Sequence, residues 1–189
     1  MNQHHNTMKK FLTILFGPIL IIIGIGYLLP EFKEMPCGTA SSYNHQSFWH
    51  WPWTRGISGH PHTGVDIFGK IGTTVRAQNG GLVIYSAYMN DTAGNAVFVL
   101  GPKWRVHMYL HLKERYVEKG DFLTCGCQIG TLGNTGNAKK TPPHVHYGIF
   151  TPIPYVWKFF IPIGEGNQPV RYNWMKMFWL DPANHLPTE

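Results

Sequence analysis

The pattern of apolar and polar positions divides the chain into two unequal parts. Residues 11–29, FLTILFGPILIIIGIGYLL, form a continuous apolar run without a charged residue. Beyond it, short apolar runs alternate with turn residues, and no long helical period occurs. The strand-like runs are TTVRA (73–77), GLVIYSA (81–87), NAVFVLG (95–101), WRVHMYLHL (104–112), QIGTLG (128–133) and HVHYGIF (144–150). Short strands at this spacing predict a mainly β, antiparallel architecture.

The apolar run predicts a transmembrane helix. Its 19 residues at helical rise span roughly 28 Å, about the thickness of one hydrocarbon core. Lys9 and Lys10 precede it, so the positive-inside rule places residues 1–10 in the cytoplasm and the remainder outside. A cleaved signal peptide and a buried soluble helix are the alternatives. The run is longer than a usual signal-peptide core and no A-x-A site closely follows it, which favours a single-pass membrane anchor with a periplasmic or extracellular domain.

The part of the chain after the apolar run consists of two segments that differ in composition. Residues 30–53 are expected to form a linker, and residues 54–189 one compact domain. Within that domain, residues 151–178 are rich in aromatic residues and prolines, which predicts an extended loop. This loop would cover the main sheet, touch the membrane or simply complete the core.

The charge pattern narrows the class of partner. The net charge is +6 with histidines neutral, but the basic residues are dispersed and form no stripe along a helix. Nucleic acid is therefore not an expected partner. A basic surface suits an anionic membrane or an anionic cell-wall polymer.

The sequence does not decide whether the three cysteines form a disulfide, remain free thiols or bind a metal. An exported domain lies where disulfides persist, but Cys125 and Cys127 are too close for an ordinary bridge. A bridge from Cys37 to either of them, unpaired thiols and a metal role all remain alternatives. Structural zinc needs four ligands and usually wider spacing, which disfavours the metal role.

Candidate chemistry is concentrated in the histidines. In a strand, residues i and i+2 share a face, so His144 and His146 would project together, away from a core that takes Val145, Tyr147 and Ile149. The same alternation in WRVHMYLHL places Arg105, His107, Tyr109 and His111 on one face. His107 and His111 would then lie about 13 Å apart, too far to serve one site easily.

A third cluster supplies a carboxylate. His62 and Asp66 lie four residues apart in HPHTGVDIFG, where Gly64 and β-branched neighbours favour a loop or the entry to a strand. Catalytic zinc typically takes three protein ligands and leaves one position open. Two imidazoles and one carboxylate satisfy this, with histidines left over to act as acid or base.

In chain order, five motifs carry a family resemblance. They are HTGVDIFG, GTTVRAQNGGLVIYSA, MYLHL, VEKGDFLTCGCQIGTLGNTG and PPHVHYGI, within residues 54–150. Together they resemble the lysostaphin/LytM-type zinc metallopeptidases, which cleave peptide bonds in peptidoglycan. The resemblance implies a lysostaphin-like β-sheet domain, a barrel-sandwich hybrid, that binds one zinc ion through His62, Asp66 and His146. It implies that His111 and His144 are the catalytic pair, without assigning the general base to either.

The expected function is thus a membrane-anchored zinc endopeptidase that acts on peptidoglycan cross-links or stem peptides. Some relatives have lost these residues and activate other wall hydrolases, so a noncatalytic wall-binding or amidase-activating module is the alternative. A structural protein whose metal only stabilises the fold is a third hypothesis. The five retained residues favour the enzyme. The bond cleaved, the oligomeric state and a protein regulator stay open.

Overall fold

The computed structural model of the protein describes residues 2–44, 47–49, 61–161 and 173–187. The apolar run lies in a long helix, α1 (Asn2–Leu28), which contains Pro18. Among the described residues, the Lys10–Leu28 portion is the one helix long and apolar enough to cross a membrane. Most of its side chains are exposed. This agrees with a membrane anchor or a signal segment.

Within the described residues, ten strands follow the helix, and they confirm the prediction of a mainly β, antiparallel fold. They are β1 (Gly64–Phe68), β2 (Thr74–Arg76), β3 (Gly81–Tyr88), β4 (Asn95–Leu100), β5 (Val106–Leu112), β6 (Glu114–Arg115), β7 (Phe122–Leu123), β8 (Gln128–Thr131), β9 (His144–Phe150) and β10 (Trp179–Leu180). Each of the six strand-like runs of the sequence overlaps one of them, and β3 extends one residue beyond its run. A second short helix, α2 (Asn173–Lys176), precedes β10.

The strands form two antiparallel sheets. The larger has the order β1-β9-β5-β4-β3-β7, with β10 also pairing with β9, and the smaller has the order β2-β8-β6. In the larger sheet, His146 of β9 lies opposite Asp66 of β1 on one side and Leu110 of β5 on the other. Strands that are distant in sequence therefore meet around the first half of β9.

The hydrophobic core is built from alternate residues of these strands. Val145, Tyr147 and Ile149 of β9 are fully buried, and they pack with Val65 and Ile67 of β1 in a cluster that also includes residues of the smaller sheet. The expected division of β9 is confirmed: its apolar residues enter the core, and His144 and His146 take the opposite face.

The segment after α1 packs onto this core. Cys37, Tyr43 and Trp49 are buried, and Tyr43 forms a bridge with Ile67 of β1. The stretch expected to be a linker, residues 30–53, thus contributes to the core in its described part; residues 45–46 and 50–53 lie outside that part.

All three cysteines are free thiols in this structure. Burial raises the pKa of the Cys37 thiol to about 12. Cys125 Sγ donates a hydrogen bond to the Gln78 carbonyl oxygen at 3.3 Å.

Candidate metal centre and active site

Three ligand-type side chains converge at the edge where β1 meets β9. His146 Nδ1 lies 3.0 Å from Asp66 Oδ1 and 3.1 Å from His62 Nε2, and His62 Nε2 lies 3.2 Å from Asp66 Oδ1. The cross-strand register creates this proximity, because Asp66 and His146 are direct partners. His62 joins them from the segment just before β1.

The triangle of donor atoms fits a zinc ion. Zinc–ligand distances of about 2.0–2.2 Å in tetrahedral geometry separate neighbouring ligands by about 3.3–3.6 Å. The three sides of the observed triangle, 3.0–3.2 Å, are a few tenths of an ångström shorter, so a small outward shift of the side chains would admit the ion. Two imidazole nitrogens and one carboxylate oxygen are also a usual donor set for catalytic zinc. These residues are positioned for metal binding.

Hydrogen bonds orient the ligand-type groups. His62 Nδ1 lies 3.0 Å from the Ser47 carbonyl oxygen, to which it donates, so the lone pair of Nε2 is directed at the other two side chains. Burial favours the neutral carboxyl of Asp66, but hydrogen bonds and charge from His146 and His62 outweigh it and hold the pKa of Asp66 far below its usual range. A carboxylate at this position is therefore ionised and available as a ligand.

A second pair of histidines borders the triangle. The rings of His111 and His144 have centroids 5.0 Å apart, and the His111 and His146 centroids are 6.2 Å apart. His144 Nε2 lies 3.8 Å from Asp66 Oδ1. Both residues of the pair are 6% exposed. The structure thus gathers all five site residues expected from the sequence in one place.

Backbone carbonyls hold the two rings of the pair in the same way. His111 Nδ1 lies 2.9 Å from the Thr135 carbonyl oxygen, and His144 Nδ1 lies 2.7 Å from that of Pro142. With Nδ1–H donating, Nε2 is the ring atom left to exchange a proton with a substrate or water. Burial, assisted by the nearby His146 and His144, lowers the pKa of His111 to about 4. The ring is therefore neutral at pH 7.

A β-bulge directs His111 into the site. Leu110 and His111 together stand opposite Ala96, because the pairing of β4 with β5 shifts register between Asn95 and Val97. His111 has a positive φ of 64°. The regular alternation expected along β5 would have grouped His111 with His107 and Tyr109, and that expectation is wrong because the extra residue reverses the face of His111.

His107 and Tyr109 belong to the core instead. His107 is 1% exposed, and its Nδ1 lies 2.7 Å from the Tyr147 hydroxyl. The Tyr109 hydroxyl accepts a hydrogen bond from the Gln78 backbone N–H at 2.8 Å. Neither side chain faces the candidate metal site. His60, two residues before His62, lies outside the described residues.

Three residues with supporting roles were not found from the sequence. Ser47, Thr135 and Pro142 orient site histidines through their carbonyl oxygens, so no side-chain motif reveals them. Only Pro142 had a sequence signal, since it lies two residues before His144 and is fixed in φ by its ring.

Comparison with known proteins agrees with this geometry. Residues 60–155, just over half of the chain, match peptidase family M23. Lysostaphin from Staphylococcus simulans is 33% identical over an alignment of 119 residues that covers 57% of this chain and 24% of lysostaphin. Peptidoglycan DD-endopeptidase ShyC from Vibrio cholerae is 40% identical over 86 residues, 46% of this chain and 19% of that protein.

A solved structure shows the same fold. The crystal structure of a zinc-containing peptidase from Vibrio cholerae has a TM-score of 0.51 and 28% sequence identity, covering 64% of this chain and 36% of that one. The present chain spans about a fifth to a quarter of the length of the two curated relatives.

Proposed function

This chain belongs to peptidase family M23, and from that membership we propose that it is a zinc-dependent endopeptidase that hydrolyses peptide bonds in peptidoglycan cross-links or stem peptides. The observation that carries the proposal is the triangle of His62, Asp66 and His146 with two carbonyl-oriented imidazoles beside it. The names of its relatives support the substrate, since ShyC is a peptidoglycan endopeptidase and lysostaphin is an antimicrobial peptidase.

In this proposal, His62, Asp66 and His146 hold the zinc ion. Zinc, when bound, supplies a Lewis acid that lowers the pKa of water and polarises a carbonyl group. The Ser47 carbonyl keeps His62 in the tautomer that presents Nε2. Asp66 contributes the one negative charge of the set, which leaves a net positive charge at the site.

His111 and His144 carry out the proton chemistry. Each has Nδ1 engaged with a carbonyl oxygen, so each presents Nε2 to the site. One of them removes a proton from the attacking water. The other, when it carries a proton on Nε2 as well as on Nδ1, stabilises the developing oxyanion or protonates the departing amine, and proton transfers of this kind contribute about 10²–10⁴-fold in rate. Burial of both rings limits competing hydrogen bonds from bulk water.

The location of the enzyme follows from its helix. We propose that residues 11–29 anchor the chain in the cell membrane, with residues 1–10 in the cytoplasm and the domain of residues 54–189 on the periplasmic or extracellular side. The support is the apolar helix and the lysine pair before it. Peptidoglycan is found on that side of the membrane.

The test uses the full chain in detergent, with purified peptidoglycan and mass spectrometry of released muropeptides. Zinc content is measured in parallel for the wild type, His144→Ala, Asp66→Ala and the control Lys119→Ala, an exposed residue away from the site. We expect cleavage by the wild type and Lys119→Ala, which stops with a chelator. His144→Ala should keep zinc without cleaving, and Asp66→Ala should lose both. Zinc-loaded wild type that cleaves no wall would instead favour a noncatalytic wall-binding or amidase-activating module.

A further inference from the structure

An exposed apolar turn follows β9. Residues 155–161, YVWKFFI, form a 3-10 turn over Val156–Phe160. Phe160 is 81% exposed, Val156 60% and Trp157 56%, and Phe159 and Ile161 are also exposed. Outside α1, this is the densest group of exposed large apolar side chains in the described part of the chain. Contiguous apolar surface of this kind marks a contact with a partner or a membrane.

The cations of this region point away from its outer surface. Lys158 Nζ donates to the Trp179 carbonyl oxygen at 2.9 Å and lies 5.5 Å from the centre of the Tyr155 ring. Lys176, which is 4% exposed, donates to the Ile161 carbonyl oxygen at 3.4 Å. As far as the described residues show, the outer surface of the turn is therefore apolar and aromatic.

The turn lies beside the end of α1. The Tyr155 hydroxyl accepts a hydrogen bond from Arg105 Nη2 at 3.3 Å. Arg105 Nη1 in turn contacts the carboxylate of Glu31, three residues beyond the last residue of α1. Two short contacts thus connect the apolar turn to the point where the chain leaves the helix.

A tryptophan contacts the helix itself. Trp104 Nε1 donates to the carbonyl oxygen of Ile23, five residues before the end of α1, at 3.0 Å. Gly26 makes room for it, since a Cβ there would lie 2.2 Å from Trp104 Nε1. Five residues of helix correspond to roughly 7 Å. The Trp104 indole therefore contacts α1 about 7 Å from its C-terminal end, towards the centre of the bilayer. Tryptophan is enriched at this depth of a bilayer.

We propose that the catalytic domain has its own membrane-contacting surface, formed by the turn 155–161 and Trp104, and that its partner is the outer leaflet of the bilayer that α1 crosses. This inference rests on the proposed anchoring by α1. Apolar side chains exposed beside a helix exit would enter the interfacial region, where aromatic residues are favoured. The surface holds the domain against the bilayer in one orientation.

The orientation determines where the active site faces. Val106 and Phe150 are paired at the membrane end of β5 and β9, whereas His111 and His144 lie at the other ends of these strands. Six residues of strand from Arg105 to His111 correspond to roughly 20 Å. The active site would then face away from the bilayer, at a fixed distance of roughly 20 Å from the membrane end of the sheet. The peptides that it reaches are therefore those close to the membrane.

Photocrosslinking in the full chain tests this surface. p-Benzoylphenylalanine replaces Phe160, Tyr88 or Phe16 one at a time, in nanodiscs of phosphatidylethanolamine and phosphatidylglycerol with tritiated acyl chains. Tyr88 is the control, because it is an exposed aromatic residue at the end of β3 that pairs, through Asn95, with Leu112 at the site end of β5. Phe16, in α1, reports the anchor itself. We expect lipid adducts at positions 16 and 160 and several-fold fewer at position 88.

The outcomes separate this inference from the proposed anchor. Lipid adducts at position 16 with none above the Tyr88 level at position 160 would overturn the membrane-contacting surface and leave the anchor standing. Protein adducts at position 160 in place of lipid adducts would overturn it in favour of a protein partner. Absence of lipid adducts at position 16 would overturn the anchor and, with it, the surface.

Discussion

Gly64 lies directly against the imidazole of His146. A Cβ at position 64 would lie 2.7 Å from His146 Nε2 and 2.4 Å from the Tyr147 carbonyl oxygen. The two residues are on adjacent strands, and the missing side chain lets the His146 ring lie over β1 with Nδ1 directed at Asp66. The glycine between His62 and Asp66 thus has a steric role in the metal triangle.

Gly64→Ala should therefore weaken zinc binding while all three ligands remain. The added methyl group displaces the His146 ring or separates β1 from β9, and either change disturbs the triangle. We expect zinc affinity to fall by about 10–100-fold, as for other residues that position metal ligands. Competition with a chromophoric chelator measures it. Gly24→Ala, where nothing lies within 4 Å of the added Cβ, is the control, and equal affinities for the two variants would refute the steric role.

The bulge at His111 makes a second prediction. The positive φ of 64° costs an ordinary L-residue about 1–2 kcal/mol, and a β-branched residue tolerates it least. His111→Gly and His111→Val should both lose cleavage. The free energy of unfolding of the glycine variant should exceed that of the valine variant by about 1–2 kcal/mol. Chemical denaturation with chelator present measures the difference.

Position 107 supplies the control for that comparison. His107 lies in regular β-structure on the same strand, where valine is favoured over glycine. His107→Val should therefore be more stable than His107→Gly, the reverse of the order at position 111. The same order at both positions would show that backbone strain at His111 does not govern stability.

Much of this fold could be predicted from the sequence, for physical reasons that particular residues illustrate. The period of two in HVHYGIF separates His144 and His146 from the apolar residues that fill the core, so the pattern itself carries the fold and part of the site. The resemblance of the chain to lysostaphin-type peptidases then supplied His62, Asp66 and His111, whose proximity no local pattern reveals.

What could not be predicted depends on contacts distant in sequence. A bulge adds one residue without a clear sequence signature, so alternation placed His111 with Tyr109. The carbonyl oxygens that orient the histidines have no side-chain signature. The ion pairs of Glu31 with Lys103 and Arg105 join residues more than 70 positions apart, which no periodicity relates.

Because His107 is buried, we expect the free energy of unfolding to fall at acidic pH. Burial lowers its pKa to about 3, against the opposite effect of the Glu31 carboxylate. The ordinary pKa of histidine is about 6.5. Between about pH 3 and pH 6.5, His107 is therefore protonated in the unfolded state and neutral in the folded state. The stability is thus fully present above about pH 6.5 and falls with pH towards 3, by about 1.4 kcal/mol per pH unit for this one proton.

His107→Asn should remove that contribution, because its amide can bond the Tyr147 hydroxyl but does not titrate. Denaturant titrations between pH 4 and 6 would measure the slope, flatter in the variant by about 1.4 kcal/mol per pH unit. Tyr147→Phe is the control, since it deletes the hydroxyl partner but keeps the imidazole. Parallel slopes for wild type and His107→Asn would exclude His107 as the titrating group.

The contact between the end of α1 and the domain gives the last prediction. Glu31 forms ion pairs with Lys103 Nζ, at 2.6 Å, and with Arg105. Burial acts to raise the pKa of Glu31, but the hydrogen bond of Lys103 and the charge of Arg105 outweigh it and lower that pKa. Glu31→Ala leaves the buried Arg105 guanidinium without a carboxylate.

We expect Glu31→Ala to lower the free energy of unfolding by about 2 kcal/mol at pH 7, less than for a fully buried pair because Lys103 is partly exposed to water. A lowered folded-state pKa means that this stabilisation is present above the unfolded value, about 4.3, and is lost as the pH falls through the folded value. The difference from wild type should therefore shrink at pH 3. Denaturation of the full chain in detergent at both pH values measures it, with Glu34→Ala as an exposed control that removes the same charge. A Glu34 variant as unstable as the Glu31 variant would mean that net charge, and not the contact with Arg105, holds the helix end on the domain.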